Sequence, residues 1–246
     1  SEYFVKVQFL LSRDMPWAKK GYVQMEDQLP VRAALKQAPA VASVAVRTQP
    51  IAVEEDGAAF KVSGKDFTAK FDKATGSLSA LTYGSQTIIE EGNGPKLDAF
   101  RAPTDNDAGA GYHGDWFRYG LYNLQHKALS AKAVKQADGR LQISFTVESQ
   151  GAEGCSQVYG DRDRTPEKAY RFDQGRHALG EDDLKFTTNQ VYTVYPDGSI
   201  ELQSAISSNR ANVLLPRLGY AMKLPSAFSK YYYYGRGPIN NYNDRK

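Results

Sequence analysis

The segment Arg101-Ala102-Pro103-Thr104-Asp105-Asn106-Asp107-Ala108-Gly109 gathers an arginine, two aspartates and an asparagine between a proline and a glycine. Carboxylates two residues apart suggest an acid/base pair, half of a metal site, or a turn tied together by charge. In an extended segment Asp105 and Asp107 point to one side with Cα atoms about 6–7 Å apart, near the separation at which two carboxyls can work on one bond. A calcium loop is excluded, because it needs ligands at three alternating positions, then glycine at the sixth and glutamate at the twelfth. The residues alone favour the tied turn, with Asp and Asn capping local N–H groups and Arg101 neutralising the aspartates through a bidentate pair. The acid/base reading stays open beside it.

Other candidate groups are weaker. His113, His126 and His177 are scattered, with no ligand at i+4 and no HExxH or CxxC context. Cys155 is the only cysteine, which excludes an internal disulfide and a thiolate cluster. It stands in a polar, glycine-rich stretch with nothing to activate a thiol. Gly235-Arg236-Gly237-Pro238 comes nearest to a dinucleotide fingerprint, but the proline and a missing third glycine argue against it. The run Tyr231 to Tyr234 fits either a sugar-stacking platform or a core strand with a hydrogen-bonded rim. In a strand at most two of the rings share a surface, and the core placement is favoured.

These groups need a scaffold, and 246 residues are enough to bury a sizeable core. The 31 basic and 28 acidic residues are mixed along the chain, which excludes a dedicated nucleic-acid or membrane surface. No apolar run approaches the roughly 20 residues of a membrane helix. A single cysteine leaves cytoplasm and periplasm both open. The strand-like start at Ser1 reads as a piece of a longer protein.

Alternation over Glu2 to Ser12 predicts one strand and Tyr22 to Glu26 a second, ending before Pro30. Phe4 and Leu10 break the alternation and suggest partial burial on both faces. Residues 1–33 therefore read as the tail of a β-sandwich, and 34–50, interrupted by Pro39 and Pro50, as a linker. From Ile51 onward short β patterns at 58–62, 67–71, 78–83, 87–90, 141–148, 188–195, 199–204, 217–224 and 231–234 alternate with turn chemistry. Pro196-Asp197-Gly198 is the clearest hairpin. Residues 149–187 read as a long surface loop or insertion. The expectation is an all-β fold, an antiparallel sandwich or barrel.

Four stretches carry a family resemblance: Asp14-Met15-Pro16-Trp17-Ala18-Lys19-Lys20-Gly21-Tyr22 with Gln28, Phe71 to Leu78, Arg101 to Asp107, and Tyr234 to Arg245. In this order, over nearly the whole chain, they resemble the C-terminal region of the glycoside hydrolase family 2 β-galactosidases. The fourth departs from the pattern, with Asn240 where relatives carry Glu and Asn243 where they carry Pro. The resemblance implies the end of an immunoglobulin-like domain over 1–33 and, over 51–246, a truncated β-supersandwich of the galactose mutarotase type.

It also implies a parent enzyme that hydrolyses terminal β-D-galactosides with retention, through two glutamates of an upstream barrel. This chain would then be non-catalytic, shaping the rim of the active site and holding domains or subunits together. Rim candidates are Arg101, Asp105, Asn106, Asp107, Gly109, His113 and Trp116; Gly235, Gly237, Pro238, Asn241, Tyr242, Asp244 and Arg245 form a structural motif. The implied partner is galactose or a β-galactoside, in a homo-oligomeric parent. The chain itself would need no cofactor, with Mg, Na or Ca of the parent bound mainly upstream. Two rival readings are a stand-alone sugar-binding sandwich using Tyr231 to Tyr234 and Trp116, and an aldose-epimerase-like enzyme with a histidine and a carboxylate in one cleft.

Overall fold

The computed structural model describes residues 3–31, 50–156 and 175–233. The chain divides into two compact units, Ser1–Val46 and Arg47–Lys246.

In the first unit β1 (Phe4–Leu10) pairs antiparallel with β2 (Val23–Pro30). Val5 stands opposite Leu29 and Phe9 opposite Met25, giving the ribbon one apolar face. Two expectations change. Strand β2 runs through to Pro30, which sits at its end opposite Phe4, where a missing N–H does not interrupt the ladder. Phe4 and Leu10 are exposed rather than partly buried, and Val7 alone in β1 is even half-buried. A two-stranded ribbon has no second layer within itself to cover either face. The expected linker lies almost wholly outside the described residues.

The second unit opens with a five-stranded antiparallel meander: β3 (Ala52–Glu55), β4 (Ala59–Ser63), β5 (Phe67–Asp72), β6 (Ser77–Tyr83) and β7 (Gln86–Ile89). Then come β8 (Lys96–Asp98) and the short helices α1 (Asp105–Ala110) and α2 (His113–Arg118). Next are β9 (Leu124–Lys135), β10 (Leu141–Gly151), β11 (Gly154–Cys155), β12 (Arg176–His177), β13 (Lys185–Val194), β14 (Ile200–Ser208) and β15 (Gly219–Ala221). The second large sheet has the order β14-β13-β10-β9, and β15 pairs with β8.

The two large sheets face each other because each strand turns one set of alternate residues inward. In β10 every second residue from Leu141 to Gly151 is buried. Phe71 of β5, fully buried, meets Tyr192 of β13 with ring centroids 5.1 Å apart, and Phe60 of β4 meets Phe145 of β10 at 6.2 Å. The result is an all-β sandwich. Its most legible turn is real: Tyr195 N–H bonds Ser199 O at 2.9 Å, and Gly198 takes φ +89°, which L side chains avoid. That glycine is also pressed between Phe67 and Tyr83, whose hydroxyl donates to Gly198 O at 2.6 Å, tying the turn to the opposite sheet.

Several boundaries are corrected. The twelve-residue strand β9 and helices α1 and α2 stand where no element was expected. The stretch 217–224 contributes only the three residues of β15. Residues 149–151 and 185–187, expected in the long loop, belong to β10 and β13, and β11 with β12 forms a two-residue ladder between them. Tyr231 to Tyr233 form no strand and are 83%, 95% and 66% exposed, so the core placement expected of them is not found.

Candidate functional site

The order Thr104-x-x-Asp107 is a helix-start signature. Asp107, in the first turn of α1, accepts from the Thr104 N–H at 2.7 Å and from its hydroxyl at 2.8 Å. Arg101 closes the other side, donating from Nη1 at 2.6 Å and Nη2 at 2.9 Å to the two oxygens of Asp107. This bidentate pair, with the Thr104 donors, holds the Asp107 carboxyl well below the usual carboxylate range. In α1 the side chains of Asp105 and Asp107 diverge around the helix, so the shared side that an extended segment would give them does not exist. One carboxylate is bound up with arginine and the other is exposed; an acid/base pair has no geometry here.

The clamp rests on buried rings. Arg101 lies over Trp116, with Cζ 5.2 Å from the ring centroid. Trp116 is 1% exposed, and its Nε1 donates to Leu214 O at 2.7 Å, joining α2 to a segment 98 residues later. His113, also 1% exposed, has Nδ1 3.0 Å from Asp107 O. Both rings thus lie beneath the segment, while Asp105, Asn106, Gly109 and Tyr112 face solvent. Arg101 and Asp107 are half-buried between the two layers. Gly235, Gly237, Pro238, Asn241, Tyr242, Asp244 and Arg245 lie outside the described residues, as does Tyr234.

The remaining histidines serve other elements. His177 Nε2 lies 3.1 Å from Arg118 O. His126 of β9 meets the fully buried Ser149 of β10, directly opposite, with Nδ1 and Oγ 2.9 Å apart. Burial, and secondarily Lys96, pulls the His126 pKa below its usual value. The folded state therefore binds fewer protons than the unfolded state just below pH 6.5, the ordinary histidine value. Stability from this group is full above that pH and is lost as pH falls toward the lowered folded value. Urea midpoints at pH 7.5 and 5.5 should show a smaller acid loss for His126→Asn than for the native chain; equal losses would mean that this ring does not cause the dependence.

Among the described residues no group of three His, Cys, Asp or Glu side chains is placed to hold a metal ion. No helix among them is long and apolar enough to cross a membrane. Thr104 was missed as a site residue, although its place three residues before Asp107 is a readable signal. The Ser149–His126 pair had none, since it depends on which strands meet.

The described architecture is that of an all-β protein, a two-sheet sandwich carrying one helical, charge-clamped insert and a separate ribbon. The family described as "Beta galactosidase small chain" matches residues 63–246. Proteins named Beta-galactosidase are similar along the chain. That of Psychromonas ingrahamii is 27% identical, over 99% of this chain and 21% of its own length. The one from Priestia megaterium is 26% identical, over 100% and 20%, and that from Halalkalibacterium halodurans 28% identical, over 99% and 20%. The chain belongs to the β-galactosidase small-chain family. It spans about a fifth of the length of these relatives.

Proposed function

We propose that this chain is the C-terminal part of a retaining β-galactosidase acting on terminal β-D-galactosides, and that its own part in the reaction is structural. The observation that carries the reading is the family match over residues 63–246, alongside relatives named for that activity. The Arg101–Asp107 clamp supports the non-catalytic half, because a carboxylate committed to a guanidinium and two threonine donors neither donates a proton nor attacks a sugar at neutral pH. In this reading the acid and the nucleophile, about 5–5.5 Å apart as retention requires, come from the rest of the enzyme. Asp105, Asn106 and Gly109 form the outward side of a rim segment, with Arg101, Asp107, His113 and Trp116 holding it from below. Contacts between domains or subunits of the parent fall to the same chain.

Incubating the isolated chain with a chromogenic β-galactoside should release no chromophore above the uncatalysed rate. Turnover that persists through purification and disappears with a substitution in the chain would overturn the proposal.

A second reading gains one observation. Tyr231 and Tyr233 are exposed, with ring centroids 6.1 Å apart and planes inclined by 31°, a spacing from which a sugar face could be gripped. A stand-alone sugar-binding module would show saturable binding of galactose at millimolar concentration, lost on Tyr231→Ala; the structural reading expects none. Trp116, buried, takes no part in such a platform. An epimerase would need a histidine and a carboxylate converging, whereas His113, His126 and His177 are engaged by Asp107 O, Ser149 and Arg118 O in turn.

A further inference from the structure

Tyr119, directly after α2, is buried to 6% exposure, and two arginines reach the same ring. Arg118 Cζ stands 5.6 Å from its centroid and Arg210 Cζ 5.5 Å. Arg210 is fixed in place, since its Nε donates to Asp182 O at 2.9 Å and its Nη2 donates to the same oxygen. Among the described residues neither guanidinium meets a carboxylate within ion-pair distance, whereas Lys6, Lys19, Lys61 and Arg140 each do so on the open surface. Two cations held against one aromatic ring and lining one groove leave their mutual repulsion uncompensated, so an anion that reaches both gains more than it would from either alone. Around them is a groove of about 320 Å³, lined also by Asp115, Asn212 and Val213.

The geometry points to this groove as a binding site for a carboxylate group. Guanidinium forks match the two coplanar oxygens of a carboxylate, and Asn212 lines the same groove. Asp115 in that wall opposes a dianion more than a monoanion, which selects a carboxylate over inorganic phosphate. The site is separate from the Arg101–Asp107 clamp and does not depend on the galactosidase reading.

The test uses the full chain with N-acetylglycine, inorganic phosphate and chloride at matched ionic strength and pH, following the Nε–H resonances of Arg118 and Arg210. N-acetylglycine should shift both saturably, and Arg118→Gln should weaken that binding about tenfold or more, as expected for losing one charge-assisted pair. Arg118→Lys should recover part of it by keeping the charge without the fork. Since the Arg118 side chain makes no hydrogen bond to a described residue, its replacement leaves the fold a fair background. Shifts no larger than those from chloride, binding unchanged in Arg118→Gln, or tighter binding of phosphate than of N-acetylglycine would each overturn the proposal.

Discussion

Asp107→Ala should lower the stability of the second unit by about 2 kcal/mol and release the amides of α1 to fast hydrogen exchange. The size follows from what the carboxylate does: it accepts twice from Arg101 and twice from Thr104, and charged hydrogen bonds contribute about 1.5–3 kcal/mol each before solvent takes over part of the role. The guanidinium is partly exposed, at 35%, so water rehydrates it and the loss stays below that of a fully buried pair. Arg101→Lys should lose nearly as much as Asp107→Ala, since lysine supplies charge but neither the two-pronged bond nor the plane that lies on Trp116. Because Arg101 depresses the Asp107 pKa, the stabilisation is complete above the ordinary aspartate value of about 3.9 and is lost only as pH falls through the lower folded value. Denaturant titrations with exchange measurements check this: unchanged midpoints and protected α1 amides in Asp107→Ala would show that the clamp does not hold the segment.

The other large effect belongs to the sandwich. Phe71→Ala should cost about 4 kcal/mol, the usual range for emptying a buried aromatic site. Phe71 is 0% exposed, stands beside Phe60 and Leu78 on neighbouring strands, and touches Tyr192 across the layers. Both sheets therefore border the cavity, and neither can close it without dragging its hydrogen-bonded neighbours. Phe71→Leu, which keeps most of the volume, should cost roughly 1–1.5 kcal/mol. Phe9→Ala serves as contrast, since Phe9 is 61% exposed and should change stability by less than about 0.5 kcal/mol. Urea midpoints with unchanged slopes give these values directly; a Phe71→Ala loss below about 1 kcal/mol would mean the layers are not joined through this ring.

How much of this could be read from the sequence depended on whether the signal was local. The alternation from Leu141 to Val147 and the Asp197-Gly198 turn carry their own information, and both elements stand where expected. Strand β9 was invisible because its side chains are short or polar, Ala128, Ser130, Ala131 and Ala133 among them. It is a strand only because β10 supplies a partner for eleven of its residues. Helices α1 and α2 are six residues each, too short to show a helical period.

At the site, the pairing of Arg101 with an aspartate was legible from residue types, and so was the tied-turn role. The burial of His113 and Trp116 was not. That of Trp116 goes with the return of the chain at Leu214, whose carbonyl accepts from the indole N–H, a contact that no spacing within 101–118 records. The tyrosines at 231–233 show the opposite failure: β propensity is strong, yet the described structure offers them no neighbouring strand.

In the small ladder of β11 and β12, Gly154 stands opposite His177, Cys155 opposite Arg176, and Ser156 N–H bonds Gly175 O at 3.1 Å. The ladder ties the residues that follow β10 to those that precede β13, so it acts as a proofreader of the long pairing. A one-residue slip of β10 against β13 turns the buried set outward and, in the same move, pulls this short ladder out of step.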